Sequence, residues 1–388
     1  MPDHQKNSFA IVGGGIGGLT LAIAMQRNGY QVVVYENAPE MKLLGAGLGL
    51  SANAIKALMA IGLHEDILEK GKILRTMRIK SSNGRVLSES DSEKVSARYG
   101  AVNNFTIHRA ELHEVLLRRL APGTLQLNKG CTDYIDEGSS IRLLFSDGSS
   151  ATADYVIACD GIHSIFRKKL VPGSVPRYAG YTCWRAVTDK LPAHFNTNET
   201  SETWGRGSRF GIVPLTNNRV YWFACLNAPQ NDPAMRAYTT TDLLRHFGNF
   251  HTPVPQLING TDSSKLIWAD IIDVAPLTRF AFGRIVLMGD TAHATTPNMG
   301  QGACMAIEDA AVLVNCLAHT PSVPEAFQAF ESRRIPRTTK IVNRSLQLGR
   351  VAQLENPLLM ALRNTALRLT PPRVAEKQVE FLYEISFA

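Results

Sequence analysis

Gly13-Gly14-Gly15-Ile16-Gly17-Gly18 satisfies GxGxxG, and its surroundings give that pattern a chemical meaning. An apolar run at 8–13 precedes it, a helical run from Leu19 to Arg27 follows, and Asn28-Gly29 suits a helix stop. A second apolar run, Gln31 to Tyr35, ends at Glu36. Alone the glycine pattern is weak; inside a βαβ unit closed by a carboxylate it points to a dinucleotide site. Gly13 permits the tight turn, Gly15 lets backbone N–H groups approach a pyrophosphate, and Gly18 lets the helix pack on the sheet. The Glu36 carboxylate would accept hydrogen bonds from a ribose hydroxyl and repel a 2′-phosphate. FAD or NAD is therefore expected rather than NADP.

Three further places could serve such a ligand. Asp160-Gly161 ends the apolar run Tyr155 to Cys159, and strand carboxyl ends face ligands in α/β sheets; an ordinary strand-to-helix turn reads equally well. Gly289-Asp290 ends another apolar run and leads through Pro297-Asn298-Met299-Gly300-Gln301-Gly302-Ala303 into a long helix. Backbone N–H groups at that helix start suit negative charge, as a reduced flavin carries around N1 and its C2 carbonyl. His293 in this loop invites the role of general base, but a histidine bonded to backbone beneath the loop is the simpler reading. Arg109 opens an amphipathic helix running to Leu120, where the macrodipole disfavours a cation. A nearby phosphate would explain it; taken alone, a solvated surface arginine is the simpler reading.

These residues need elements that bring them together. Short helices are expected near 53–61 and 64–70, strands and a polar turn over 72–96, and a hairpin through Asp147-Gly148 within 141–158. Residues 178–226 are rich in Trp, Tyr, Phe and Thr and read as antiparallel sheet, followed by a helix near 241–250 and a strand near 264–272. A long helix is expected from Gly302 to Leu317, then mostly helix from Pro324, broken at Pro336, Pro357 and Pro371-Pro372. The expected fold is α/β: a discontinuous Rossmann-like domain (1–74, 97–175 and 272–348), an inserted, mostly antiparallel β-sheet domain (75–96 and 176–271), and a C-terminal helical segment (349–388). An insertion of this kind creates a cleft, where small-molecule sites tend to lie.

Composition excludes several classes. Apolar residues make up 45% of the 388 and charged residues 19%, which supports a core rather than disorder. The net charge of +7 is modest and unclustered, so no nucleic-acid partner is expected. The six cysteines (131, 159, 183, 225, 304 and 316) include no CxxC pair, so neither a zinc site nor any other metal site is expected. Scattered thiols fit a cytoplasmic protein. The uncharged stretch from Asn7 to Gln26 is too glycine-rich for a signal or a membrane span. Leu346 to Leu369 interleaves Leu with Arg; a helix packing on the nucleotide domain is preferred there over contact with an anionic membrane.

The motifs Gly13 to Gly18, Asp160-Gly161 and Gly289-Asp290 occur in the order and at about the spacing that resembles the FAD-dependent aromatic-ring monooxygenases of the para-hydroxybenzoate hydroxylase type. Tyr178-Ala-Gly-Tyr-Thr-Cys-Trp184 and Pro297 to Asp309 are similar to zeaxanthin epoxidases and bacterial urate hydroxylases. The resemblance implies FAD, with NAD(P)H as co-substrate and no second GxGxxG for it. It also implies transfer of one oxygen of O2, through a flavin C4a-hydroperoxide, to a small aromatic, N-heteroaromatic or polyene substrate, by hydroxylation or epoxidation. By the same resemblance, Glu36 holds the adenosine ribose, Arg109 the diphosphate or ribityl region, backbone at Cys131 the adenine, and Asp290 a ribityl hydroxyl. The backbone of Gly300, Gln301, Gly302 and Ala303 cradles the isoalloxazine, and Asp160 lies near the nicotinamide path. Gly17, Asn37 and Gly49 complete the cofactor-binding set. Arg209 and Tyr221 are the implied catalytic and substrate-orienting pair, with Phe223, Pro297, Asn298 and Met299 lining the substrate space. Urate hydroxylases carry an acidic residue where this chain has Asn298, which counts against urate itself. The alternatives are a related FAD oxidoreductase without oxygen transfer, such as a prenyl reductase-like enzyme, and a non-catalytic flavin-binding protein.

Overall fold

Ser8–Val12 is buried through four of its five residues, as a strand covered on both faces must be. In this computed structural model, which describes residues 6–41 and 46–387, it lies centrally in a six-stranded sheet. Gln31–Tyr35 pairs parallel on one side and Tyr155–Ala158 on the other; Ile285–Leu287 adds in parallel beyond. Strands distant in sequence thus become neighbours, and the loops that follow them emerge at one carboxyl edge. Gly13 takes φ +114°, and a Cβ there would strike the Cys159 carbonyl oxygen at 2.2 Å. Only glycine lets the first loop cross the second so closely. The helices Ile16–Arg27 and Gly302–His319 pack against each other over the sheet, Gly17 admitting Ala306 between them.

The second layer is a seven-stranded sheet built from residues 76–91 and 176–274. Its strands alternate. Trp184, Phe210, Ile212, Trp222 and Ala224 turn one way, onto Leu243, Phe247 and Leu257 of the helices Thr240–Phe247 and Val254–Asn259. The intervening residues turn toward the α/β layer. Cross-strand register puts Cys183 opposite Cys225, Arg185 opposite Phe223, and Arg209 opposite Cys225, so all five share that inward face with Tyr181 and Tyr221.

Four expectations need correction. Residues 72–96 are not all strand: Asp91 accepts from the Glu93 and Lys94 N–H groups and starts a helix, Ser92–Tyr99. The second hairpin arm divides at Asp154, whose carboxylate takes the Ser8 N–H and hydroxyl; Ser150–Ala153 stays in the hairpin and Tyr155–Ala158 joins the parallel sheet. Helix Val323–Ala352 runs unbroken through Pro336, because Arg334 and Arg337 clamp it on either side to Glu308. The helix Pro357–Leu369 lies against Val86–Asp91 of the second sheet rather than the nucleotide domain, with Arg363 over the Trp204 ring.

Candidate active site

The carboxyl edge opens into a cavity of about 400 Å³ lined by Gly13, Gly15, Glu36, Asn37, Cys131 and Asp160, among others. Glu36 ends its strand with Oε2 accepting from the Gly14 N–H at 2.6 Å and Oε1 from the Ala38 N–H at 2.9 Å. The carboxylate therefore fixes the glycine loop and still offers lone pairs to a diol. A Cβ at Gly15 would meet nothing within 4 Å, so the loop borders open space at the helix start. Cys131 is pushed up to about 12 by burial and the Asp160 charge, and stays a neutral thiol. Gly17 and Gly18 lie behind the loop: a Cβ at Gly18 would sit 2.1 Å from the Gly13 carbonyl oxygen.

Asp160 ties two loops together. It accepts from the Ile165 N–H at 2.8 Å and from the Thr291 hydroxyl at 3.0 Å, and Thr291 in turn accepts from the Gly161 N–H at 2.9 Å. Arg167, fully buried, donates to the carbonyls of Thr291 and Ile162. Nothing in the sequence marked Arg167; its signal, a cation just after Asp-Gly, looks like any surface residue. Asp290 is open to solvent yet ringed by protein; that enclosure raises its carboxyl against the pull of His293, Arg109 and Arg167.

Arg109 is exposed and makes no ion pair or side-chain hydrogen bond among the described residues. One turn on, burial and the Arg109 charge pull His113 down to about 4, and its Nε2 is buried with no partner. A neutral ring nitrogen without a partner beside a free guanidinium is a polar surface that lacks its ligand. Across the cleft, Gly300 takes φ +63° beside open space, and Gly302–His319 begins without a side-chain cap. Gly302 and Ala303 are half-buried there. The Gln301 side chain points away, to Asn53 at 2.8 Å and Ser51 at 3.3 Å, leaving only its backbone for the cleft. Gly49 is exposed on the strand Gly47–Leu50, its carbonyl 3.9 Å from Cys304 Sγ.

His293 proves structural, but its partner is a carboxylate rather than backbone: Nε2 lies 2.7 Å from Asp309 Oδ2. Burial pushes Asp309 up, and His293, Arg334 and the Gly289 N–H outweigh it, holding the carboxyl at about 2. Glu308, Asp309, Arg334 and Arg337 form one buried charge cluster that reaches Asn53 and hence Gln301.

The second sheet closes the cleft. Arg209 and Tyr221 share its inward face but do not converge. Arg209 is 2% exposed. It donates to Glu202 Oε1 and Gln353 Oε1 at 3.0 Å each and lies 5.1 Å over the Tyr181 ring. Tyr181 donates to Asn298 Oδ1 at 2.8 Å, and Asn298 Nδ2 donates to Thr296 and the Ser345 carbonyl. Asn298 therefore spends its amide holding the loop. Met299 packs with Met305, Ile341 and Leu382, while Pro297 is exposed. Tyr221 and Phe223 are half-buried, their ring centroids 6.1 Å apart.

Residues 6–345 match the family described as FAD binding domain. The chain is 36% identical over 362 residues to aurachin C monooxygenase/isomerase of Stigmatella aurantiaca, covering 92% of this chain and 93% of that protein. It is 32% identical over 368 residues to 3-amino-4-hydroxybenzoate 2-monooxygenase of Streptomyces cremeus, covering 93% and 92%. The chain belongs to the FAD-dependent monooxygenases. Its fold superimposes on Klebsiella pneumoniae HpxO, solved with FAD and uric acid, with TM-score 0.90, 29% identity and 98% of each chain covered. Salicylate hydroxylase shares the fold at TM-score 0.81 and 22% identity. The monooxygenase's cleft fits the cofactor on its own chemistry: open space over Gly15, the unpartnered His113 Nε2, and an uncapped helix start.

Proposed function

We propose that this monooxygenase is a cytoplasmic enzyme that takes electrons from NADH or NADPH and inserts one atom of O2 into a planar aromatic or N-heteroaromatic ring. The observation that carries this reading is the meeting of three loops, after Val12, Ala158 and Leu287, at one sheet edge under a second sheet bearing aromatic and cationic side chains. The relatives named for hydroxybenzoate and urate chemistry support it. Bound FAD supplies the electron transfer and oxygen activation. The chain supplies position and shelter. Glu36 and Asn37 hold the adenosine end, Arg109 and His113 the diphosphate or ribityl region, and Asp290 a ribityl hydroxyl. The N–H groups of Gly302 and Ala303 stabilise negative charge on the ring system. The inward sheet face excludes water, which would otherwise divert activated oxygen into hydrogen peroxide.

The test uses FAD-loaded protein, a panel of aromatic and N-heteroaromatic compounds, and labelled dioxygen. Panel members should stimulate NAD(P)H oxidation, and one labelled atom should enter the product. Stimulated oxidation with no label in any product would overturn oxygen transfer in favour of a reductase; protein that never retains FAD would overturn both.

A further inference from the structure

On the inward sheet face two guanidinium groups sit in opposite circumstances. Arg209 is sealed and paired: Glu202 faces it, Gln353 accepts from it, and Tyr181 stacks beneath it. Arg185 is half-buried and makes no ion pair among the described residues. The groups that its charge meets are the thiols of Cys183 and Cys225 and the Tyr221 phenol, not a carboxylate. Its field helps hold the Cys183 thiol below its ordinary value, after the hydrogen bond from Cys225. An enclosed guanidinium without an anion is costly, and an ionised ligand oxygen would offset that cost.

The rings beside it are seated rather than loose. Phe223, directly opposite Arg185 in register, lies over Gly211, where a Cβ would come within 2.0 Å of the ring. Tyr221 lies over Gly47 of the other layer, where a Cβ would come within 2.6 Å. Two glycines on different strands thus leave room for two rings held against backbone. The Tyr221 hydroxyl has no hydrogen-bond partner among the described residues. Two fixed ring surfaces, one phenol and a fork of N–H donors that has the Cys183 thiol but no carboxylate to meet among the described residues form a platform for a flat molecule with a charged edge.

We propose that Arg185 recognises the substrate, and that the substrate is a planar aromatic bearing a carboxylate, or an ionised ring oxygen, that pairs with Arg185 while its ring lies against Phe223 and Tyr221. This rests on the monooxygenase reading and sharpens it, moving the substrate-orienting role expected of Arg209 to Arg185. Arg209 becomes a positioning residue for Tyr181 and the Pro297–Met299 loop.

Equilibrium titration of the oxidised holoenzyme, followed by flavin absorbance, tests this without reductant or turnover. The probes are matched pairs: salicylate and salicylamide, 4-hydroxybenzoate and 4-hydroxybenzamide, 4-hydroxyquinoline-2-carboxylate and its amide. At least one acid should bind on the order of tenfold tighter than its amide, the size of one charge-assisted contact. Arg185→Gln should erase that preference and change the amide's affinity less than threefold, with FAD retained. Arg185→Lys should keep part of it. Arg209→Gln should keep the preference while lowering thermal stability. The proposal is overturned if no acid outbinds its amide, if none of the probes binds, if the preference survives Arg185→Gln, or if it disappears only in Arg209→Gln. None of these outcomes bears on label incorporation, so the two readings fail separately.

Discussion

Glu36 fixes the glycine loop and, in the function proposed, holds the ribose of FAD. In Glu36→Arg the Gly14 and Ala38 N–H groups lose their acceptor and a cation enters a region already holding Arg109. FAD affinity should fall by at least about tenfold, from the lost charge-assisted bonds alone; Glu36→Gln, which keeps an acceptor, should lose less. Flavin retained on gel filtration compares the two, and unchanged retention in Glu36→Arg would misplace the ribose site. His113 gives a pH signature. Its folded pKa of about 4 lies below its ordinary 6.5, so between those values the unfolded chain binds the extra proton. Its contribution to apo-protein stability is full above pH 6.5 and is lost as pH falls toward 4. Partial exposure to solvent limits this to about 1–2 kcal/mol. Urea unfolding at pH 7 and pH 4.5 should show a smaller loss for His113→Gln than for wild type; equal losses would mean that His113 titrates normally.

The elements were legible to the degree that their pattern was local. The βαβ unit could be read because apolar runs, glycines and Glu36 all fall within Ser8 to Glu36. The helix Ser92–Tyr99 was missed because its apolar face is slight and the cue was one capping carboxylate, Asp91. Pro336 misled because a proline's local penalty is visible in sequence and its tertiary compensation is not. That compensation is Arg334, fully buried between Glu308 and Asp309. Arg334→Leu should take one cation from each of two buried carboxylates, leaving Glu308 to Arg337 and Asp309 to His293, and cost about 3 kcal/mol. Thermal melting should show a drop of several degrees, with Arg334→Lys intermediate. A melt unchanged in Arg334→Leu would show that the helix crosses Pro336 without this clamp.

At the scale of the molecule, the site exists only where two sheets face each other, and that juxtaposition is the part least readable from one chain. The sequence told which strands were aromatic-rich, but not that Arg209 would find Glu202 and Gln353 while Arg185 found no anion among the described residues; the partners of Arg209 lie 7 and 144 residues from it. The layers are stitched by a few polar contacts: Thr106 to the Pro214 carbonyl at 2.7 Å, Arg219 to Glu111 at 2.5 Å, and Tyr181 to Asn298 at 2.8 Å. The last lies beside the loop that leads into helix Gly302–His319. Tyr181→Phe keeps the ring under Arg209 and removes only the hydroxyl, leaving Asn298 Oδ1 without its donor. The loss should be about 1–2 kcal/mol, or roughly 2 °C in a chain of this size. FAD affinity should be unchanged, because no cofactor-facing group is altered. The layers would separate more easily, and water would reach the cleft more often. In the reaction proposed, the fraction of NAD(P)H oxidised that appears as hydrogen peroxide should therefore rise at saturating substrate, while flavin reduction stays near wild type. Peroxide yield measured against product yield decides it: the same ratio as wild type, with the melt lowered, would make the Tyr181–Asn298 contact a stabilising bond with no part in sealing the site.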